Sequence, residues 1–342
     1  AAGFQAGIPQ GIGEGGSGFG NRGEARVKHG DYAEADLDVQ PIRTPSAMNT
    51  SFQDVMLWNG QFGATGTNQG TEASWTADTP KEVNHLGYEG LESQAIAGLK
   101  VHRMEVEEMV LVDLGYKDLF DQAFPDFPED KRYTRETTGL AIAAFERTLY
   151  ANQAPFQRWL KGEMNAMNEA ELRGALLFFG KAECGSCHTG PALNKMEFHA
   201  LGMNDLHDFA GQTFKNNPED PGHLGRGGFT NRSADMFKFK VPQLYNLADS
   251  PFYGHGSSFQ SIREVIEYKN DAIAENPDVP AAQLSPDFTA LGLSDNEISD
   301  IVAFLEGALY DPDLERYNPD AVLSGNCFPV NDDAARQDLG CE

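Results

Sequence analysis

The clearest helical pattern in the chain lies in MNEAELRGALLFFG, residues 167–180. Leu172, Leu176 and Phe179 recur three or four positions apart, as on one face of an α-helix. Asn168, followed by Glu171 three positions later, is typical of a capping box, in which each residue satisfies a free backbone N–H of the other. The pattern predicts an amphipathic helix that begins just after Asn168.

A second helical pattern, LSDNEISDIVAFLEGAL, lies near the C-terminus. Ser294 and Glu297 repeat the capping-box spacing. The apolar residues after them share one helical face: Ile298, Ile301, Val302 and Leu305. We therefore expect a mostly α-helical fold.

Cysteine and histidine are combined in CGSCH, directly after the first predicted helix. C-x-x-C-H is the attachment signature of c-type haem. Cys184 and Cys187 would bond to the haem vinyl groups, and His188 would ligate the iron. A redox C-x-x-C needs no following histidine, and a structural zinc site needs two more ligands at matching spacing. The motif therefore favours covalent haem c.

The order of these features is that of a class I cytochrome c domain. A helix precedes the motif, the Gly-Pro loop TGPALN follows it, and the second helix would pack across the first. We expect residues 164–342 to form a C-terminal cytochrome c-like domain with covalent haem c and a tail.

An internal repeat predicts a second domain of the same kind. Repeated supersecondary units indicate repeated domains. Two stretches share a proline, an asparagine and an aromatic-rich turn with glycine: Pro45, Asn49 and Gly60 against Pro242, Asn246 and Gly256. We expect residues 1–163 to form an N-terminal cytochrome c-like domain. Cys184 precedes Pro242 by 58 residues, so the corresponding motif of the first domain would fall shortly before residue 1.

The balance of acidic and basic residues limits the kinds of binding partner that the protein can have. With 52 acidic and 26 basic residues, the net charge of −26 argues against nucleic acid and anionic membranes, which attract basic patches. No apolar run approaches the roughly 20 residues of a membrane span. The first residues, AAGFQAGIPQ, lack the basic start and apolar middle of a signal peptide. If the protein is exported, residue 1 therefore follows a cleavage point.

The remaining two cysteines bracket a polar tail. Cys327 and Cys341 enclose FPVNDDAARQDLG, which has no helical or strand period. A disulfide between them would pin a C-terminal extension; two unpaired thiols are the alternative. Because disulfides persist in oxidising compartments, the pairing would favour the periplasm.

Several segments together resemble the bacterial di-haem cytochrome c peroxidase family, including its MauG-like branch. They are, in order, RTPSAMN, LWNGQF, LESQAIAGL, AIAAFERTLYANQAPFQRWLKG, GALLFFGKAECGSCHTGP, FKVPQLYNLADSPFYGHGS and LSDNEISDIVAFLEGAL. The resemblance implies two tandem cytochrome c-like domains with a haem each. One haem would take electrons from a small donor, a cytochrome c or a copper protein, and the other would reduce hydrogen peroxide. A homodimer is compatible with it.

The resemblance also assigns catalytic residues. Trp58 matches the family's tryptophan between the two haems, where an indole would relay electrons; core packing is the alternative. Glu105 falls near the glutamate that moves a proton at the peroxide site. Since VHRME stands where relatives have Asn-Pro, three neighbours are rivals: His102, Glu107 and Glu108. His29 is a candidate distal ligand of the first haem, and an exposed loop residue otherwise.

The second axial ligand of the Cys184/Cys187 haem departs from the family pattern. Relatives supply methionine, or tyrosine in the MauG-like branch, a fixed distance beyond a histidine that matches His255. That count lands on Lys269, with Tyr268 one residue earlier, and no methionine follows Met236. The second iron ligand is therefore Lys269, Tyr268 or neither of them, and the sequence leaves all three alternatives open. Either ligand would favour Fe(III) more than methionine does.

Two further functions remain alternatives to peroxide reduction. A MauG-like enzyme would use high-valent haem to oxidise a partner protein. A non-enzymatic electron-transfer cytochrome would carry one haem only. The resemblance also implies a calcium ion between the domains. Arg43 stands where the family has an asparagine ligand, so calcium is kept only as an optional cofactor. His199, His207 and His223 are interpreted as structural.

Overall fold

The structure, a computed structural model, describes residues 42–101, 106–208, 218–317 and 323. The fold is mostly helical, in agreement with the predicted class. The α-helices in chain order are Gly90–Val101 (α1), Glu108–Asp113 (α2), Lys117–Ala123 (α3), Arg135–Glu146 (α4), Pro155–Leu160 (α5), Glu169–Phe179 (α6), Arg226–Thr230 (α7), Ile262–Asp271 (α8) and Asp295–Ala303 (α9), the last continued by a π turn, Phe304–Ala308. Strands Phe198–His199 (β1) and Phe239–Lys240 (β2) pair antiparallel.

Both predicted capping boxes form. The Asn168 side chain accepts a hydrogen bond from the Glu171 backbone N–H at 3.0 Å, and the Glu171 carboxylate accepts from the Asn168 N–H at 2.8 Å. Ser294 and Glu297 make the same exchange at the start of α9. The two predicted helices therefore begin where the sequence placed them.

Helices α6 and α9 cross at a glycine. A Cβ added to Gly174 would lie 2.0 Å from the backbone oxygen of Asp300 and 2.8 Å from the Cβ of Phe304. Only glycine permits so close an approach of the two backbones. The crossing lets Phe178 and Phe304 meet in the core, with ring centroids 5.3 Å apart.

The buried face of α6 differs from the predicted one. Leu176 is 76% exposed and Phe179 49% exposed, whereas Phe178 is 2% exposed. The face that packs on α9 is carried by Gly174 and Phe178, four residues apart. The apolar pattern missed it because glycine contributes no hydrophobic signal.

Among the described residues the hydrophobic side chains form an N-terminal core, a larger C-terminal core and a small cluster of Leu111, Phe120 and Tyr133. The N-terminal core joins α1 and α4, which touch where Gly139 meets Ile96. The larger C-terminal core includes residues from α5, α6, α8 and α9. Ala151 and Phe156, which precede the predicted boundary at residue 163, also belong to this C-terminal core. The division into two domains at residue 163 stays a prediction.

The two repeated stretches adopt the same backbone path. Asn49 and Asn246 both have left-handed backbones, with φ of 59° and 54°, and each precedes a short 3-10 helix. The isolated bridges Met56–Phe62 and Tyr253–Phe259 fall at equal distances after Pro45 and Pro242.

This register also corrects the predicted pairing of glycines. Counted from the two prolines, the residue that corresponds to Gly60 is Ser257, not Gly256. Both have left-handed backbones, with φ of 66° and 56°. The sequence comparison missed the match because serine replaced the glycine.

Within the described residues, the longest helices have twelve residues. None of these helices combines the length and apolar character needed to cross a membrane.

Candidate haem site

A large cavity of about 970 Å³ is lined by residues of both halves of the chain, and the C-x-x-C-H residues are part of its wall. The segment Cys184–Ser186 forms a 3-10 turn directly after α6, entered through Glu183 with φ of 51°. This turn brings Cys184, Cys187 and His188 to the same cavity. Its volume is at the upper end of the range for ligand pockets, about 300–1,000 Å³. Two thiols and an imidazole on one large cavity fit haem c.

His188 is prepared to act as an iron ligand. Its Nδ1 lies 3.0 Å from the backbone oxygen of Leu193. Since a carbonyl can only accept, Nδ1 carries the proton and Nε2 keeps a lone pair. Burial lowers the pKa of the His188 imidazole to about 4, with the positive charge of Lys269 acting in the same direction. A neutral, oriented imidazole is the form that binds metals.

One face of α8 forms another part of the wall. Its lining residues follow helical spacing: Ile262, Val265, Ile266 and Lys269. Lys269 thus occupies a position where the pattern calls for an apolar residue. Burial lowers the pKa of its amine, opposed by the nearby thiols of Cys184 and Cys187. A lowered pKa makes the lone pair of the amine more available.

Tyr268 is directed elsewhere. Its hydroxyl donates a hydrogen bond to the backbone oxygen of Leu201. Its ring packs between Phe259 and Phe288, with centroids 5.1 and 5.3 Å away. Tyr268 is absent from the cavity wall. Of the two candidate ligands, the structure therefore brings Lys269, and not Tyr268, to the cavity that His188 lines.

Trp58 also lies in the cavity wall and is buried, with 9% of its surface exposed. The indole N–H donates to the backbone oxygen of Arg43 at 2.7 Å, which fixes the ring. The backbone oxygen of Trp58 accepts from the N–H of Lys240 at 2.7 Å. The indole is therefore fixed by the first repeated stretch and the backbone of Trp58 by the second, at the place where the two stretches meet.

The two repeats exchange equivalent hydrogen bonds at this place. The Lys240 N–H bonds to Trp58, and the Arg43 N–H donates to the backbone oxygen of His255 at 2.8 Å. Arg43 and Lys240 each precede their repeat's proline by two residues, and Trp58 and His255 each follow it by thirteen. The contact is thus pseudo-symmetric.

Lys240 is a buried cation that sequence reasoning missed. It is 5% exposed, and its ammonium donates to the Gln53 side chain and, at 2.9 Å, to the backbone oxygen of Val55. Burial lowers its pKa to about 7. The sequence does contain one indication of this role, because Lys240 occupies the position in its repeat that Arg43 occupies in the other.

His199 lies beside the second attachment cysteine. Its Nε2 is 3.9 Å from the Cys187 sulfur, and its Nδ1 is 3.0 Å from the hydroxyl of Ser285. Cys187, His199 and Asp287 could together hold a metal ion by distance alone. Because Cys187 belongs to the C-x-x-C-H motif, this group is part of the haem site.

The sequence model of the family described as "Di-haem cytochrome c peroxidase" matches residues 14–165 of this chain. This N-terminal part of the chain is therefore similar to that family. Together with relatives that are named cytochrome c peroxidases, the match indicates a peroxidase-type oxidoreductase that uses haem c. The family match covers the N-terminal part, and the haem motif lies beyond it, so the two observations are independent.

Individual relatives extend the similarity over most of the chain. The methylamine utilization protein MauG of Methylophilus methylotrophus is 28% identical over 269 residues, 77% of this chain and 67% of the relative. The cytochrome c551 peroxidase of Nitrosomonas europaea is 28% identical over 277 residues, 80% of this chain and 68% of the relative. The chain thus spans about two thirds of the length of these relatives.

A solved structure shares the fold. A MauG-like protein associated with microbial copper homeostasis superimposes with a TM-score of 0.56 at 24% identity, covering 84% of this chain and 80% of that one. At 24% identity this match shows a shared fold and nothing about activity.

Several residues assigned from the family resemblance lie outside the described residues: His29, His102, Glu105, Cys327 and Cys341. Their roles and the disulfide stay predictions. Glu107 and Glu108, the rivals of Glu105, are described and exposed at the start of α2.

The calcium site of the family is not supported here. Arg43 stands where the family has an asparagine ligand, and a guanidinium has no lone pair to offer a cation. Its side chain instead donates to the hydroxyl of Ser250. The residues at this position do not fit calcium.

Proposed function

We propose that this protein is a periplasmic di-haem oxidoreductase that reduces hydrogen peroxide with electrons from a small donor protein, a cytochrome c or a copper protein. The observation that carries the proposal is the single cavity that joins the C-x-x-C-H residues, Lys269 and the inter-repeat Trp58. When bound, haem c supplies the iron that exchanges electrons with donor and peroxide. The matching backbone paths of the repeats support two tandem cytochrome c-like domains with a haem each.

Cys184 and Cys187 would hold the C-terminal haem, with His188 as one axial ligand. Lys269 is the proposed second ligand. Three features support it: the side chain lines the same cavity, burial lowers its pKa, and its helical position faces inward. Nitrogen ligands on both sides would favour Fe(III) and lower the potential relative to methionine.

Trp58 is proposed as the relay between the two haems. It lies where the repeated stretches exchange hydrogen bonds, and its indole is fixed by Arg43. Glu105 is proposed to carry the proton at the peroxide site, because a carboxylate near neutrality can serve as both base and acid.

The first test is haem per chain, from pyridine haemochrome absorbance and intact mass, followed by peroxide turnover with a reduced small cytochrome as donor. Two haems and turnover that disappears in the Cys184→Ala/Cys187→Ala double variant would support the proposal. A preparation with both haems that neither turns over nor changes its spectrum with peroxide would exclude it. One haem would remove the catalytic roles of Glu105 and Trp58, and leave an electron-transfer cytochrome.

A MauG-like oxidation of a partner protein is the second candidate. The absence of methionine after Met236 favours it, because a harder axial ligand stabilises oxidised iron. The test is to add peroxide without donor and follow the absorption spectrum. An oxidised form that persists for minutes and is discharged by a protein substrate would support this candidate. Rapid return to the resting spectrum would support the peroxidase.

A further inference from the structure

Three side chains with metal-ligating atoms converge at the wall of the haem cavity, which Asp205 and His223 help to form. Asp205 directly precedes the 3-10 turn Leu206–Asp208, and His207 lies on that turn. His223 lies on a second turn, Pro221–Leu224. One ligand atom from each residue falls within 4.8 Å of the other two. Asp205 and His223 are buried, at 3% and 4% exposure. None of the three is proposed to hold the haem.

The distances suit a small cation. Asp205 Oδ1 and His223 Nδ1 are 3.3 Å apart. Two ligands of a tetrahedral zinc ion at roughly 2.0 Å from the metal are also about 3.3 Å apart. The rings of His207 and His223 meet edge to face, with centroids 4.2 Å apart.

The carboxylate is oriented by further hydrogen bonds. His255 Nε2 lies 3.0 Å from Asp205 Oδ1, and the Asn276 amide donates to Oδ2 at 2.9 Å. Burial opposes ionisation of Asp205, but the hydrogen bonds from His223 and His255 outweigh it and hold the pKa of the carboxyl well below its usual range. Metal-binding carboxylates are commonly held by outer partners of this kind.

The position of His207 is not explained by hydrogen bonds. Its Nδ1 is buried and has no hydrogen-bond partner among the described residues. A buried polar nitrogen without a partner costs free energy. Hydrogen bonds to Asp205 account for His223 and His255, but they do not account for the placement of His207 in the same cluster.

We propose that Asp205, His207 and His223 form a binding site for one divalent first-row transition metal, separate from the haem iron. One carboxylate oxygen and two imidazole nitrogens would be the protein ligands, and water would complete the coordination. Imidazole with carboxylate suits zinc and its neighbours in the series. The ion would join the turn 206–208 to the turn 221–224.

The test uses the full haem-loaded chain and Zn²⁺ as the probe. After equilibration with Zn²⁺ and dialysis against a weak chelator, zinc and iron are counted by mass spectrometry of the elements. Covalent haem iron serves as the internal standard. The variants are His207→Asn, Asp205→Asn and Asn276→Ala. The matched control is His85→Asn, which changes an exposed histidine outside the cluster.

We expect one zinc per chain in the wild type and in His85→Asn, and none in His207→Asn or Asp205→Asn. Loss of the outer partner in Asn276→Ala should weaken zinc binding roughly 10–100-fold. Wild-type protein without zinc, or equal zinc in His207→Asn and wild type, would overturn the proposal and leave a hydrogen-bonded cluster only. If Asp205→Asn does not fold, His207→Asn decides, because that side chain is partly exposed.

Discussion

The indole of Trp58 lies edge-on to the imidazole of His255, with ring centroids 6.4 Å apart and planes at 68°. Both residues stand thirteen positions after the proline of their repeat. Each accepts a backbone hydrogen bond from the other repeat, Trp58 from Lys240 and His255 from Arg43. Two equivalent loops therefore meet through equivalent residues, and the aromatic pair lies at their contact.

Trp58→Phe should slow electron transfer between the two halves. Phenylalanine keeps an aromatic ring but loses the hydrogen bond to Arg43 and the easily oxidised indole. We expect peroxide turnover to fall by at least an order of magnitude, with the resting haem spectrum unchanged. Steady-state turnover with a reduced donor measures this effect. Trp75→Phe is the control, since that buried indole donates to Thr71 in the same half and is absent from the cavity wall. Equal losses in both variants would contradict the relay.

Lys269→Met should raise the reduction potential of the C-terminal haem. A thioether favours Fe(II), whereas an amine favours Fe(III). We expect an increase on the order of 100 mV, well within the span of about 0.8 V that axial ligands cover. Spectroelectrochemical titration measures it. Tyr268→Phe removes a hydroxyl that bonds to Leu201, and should leave the potential unchanged. A shift in Tyr268→Phe with none in Lys269→Met would assign the ligand to tyrosine.

Lys240→Met should change how stability depends on pH. Burial lowers the pKa of Lys240 to about 7 from 10.5 in the unfolded chain. Between these values the unfolded state binds more protons, so this lysine makes the free energy of unfolding rise with pH. The expected rise is about 2 kcal/mol between pH 7 and pH 9.

Guanidinium titrations at these two pH values measure that rise. Lys240→Met should lose it, whereas Lys161→Met, at an exposed position, should keep it. A rise that survives in Lys240→Met would show that other groups cause it, and the absence of a rise in the wild type would show that the pKa of Lys240 is not lowered in the folded protein.

Gly174→Ala should destabilise the crossing of α6 and α9. The added methyl group would meet the backbone of Asp300, which cannot move aside as a flexible side chain could. Overpacking of this kind costs typically about 1–3 kcal/mol, occasionally more. Thermal or guanidinium unfolding measures the loss. Leu176→Ala, on the exposed side of the same helix, should stay within about 0.5 kcal/mol of wild type. A Gly174→Ala variant as stable as wild type would mean that the helices can separate at little cost.

Features that depend on neighbouring residues could be predicted from the amino-acid sequence alone. The C-x-x-C-H motif, the starts of α6 and α9 and the mostly helical fold follow from spacings of a few positions, because capping and helical periodicity are local. The repeat was also visible, since both copies keep the proline, the asparagine and the aromatic turn. The family resemblance was confirmed by the match to residues 14–165.

Which side chains lie next to one another became known only from the folded chain. Adjacent residues on one helix point about 100° apart, so Tyr268 and Lys269 face different surroundings. Helical spacing puts Lys269 on the same face as Ile262 and Ile266, but only the folded chain shows that this face meets the cavity. The buried face of α6 was misjudged because the decisive residue is a glycine. Lys240 and the cluster at Asp205 were missed because their partners lie far away in the chain. Burial, pKa and metal affinity come from such distant neighbours, and a spacing along the sequence does not contain them.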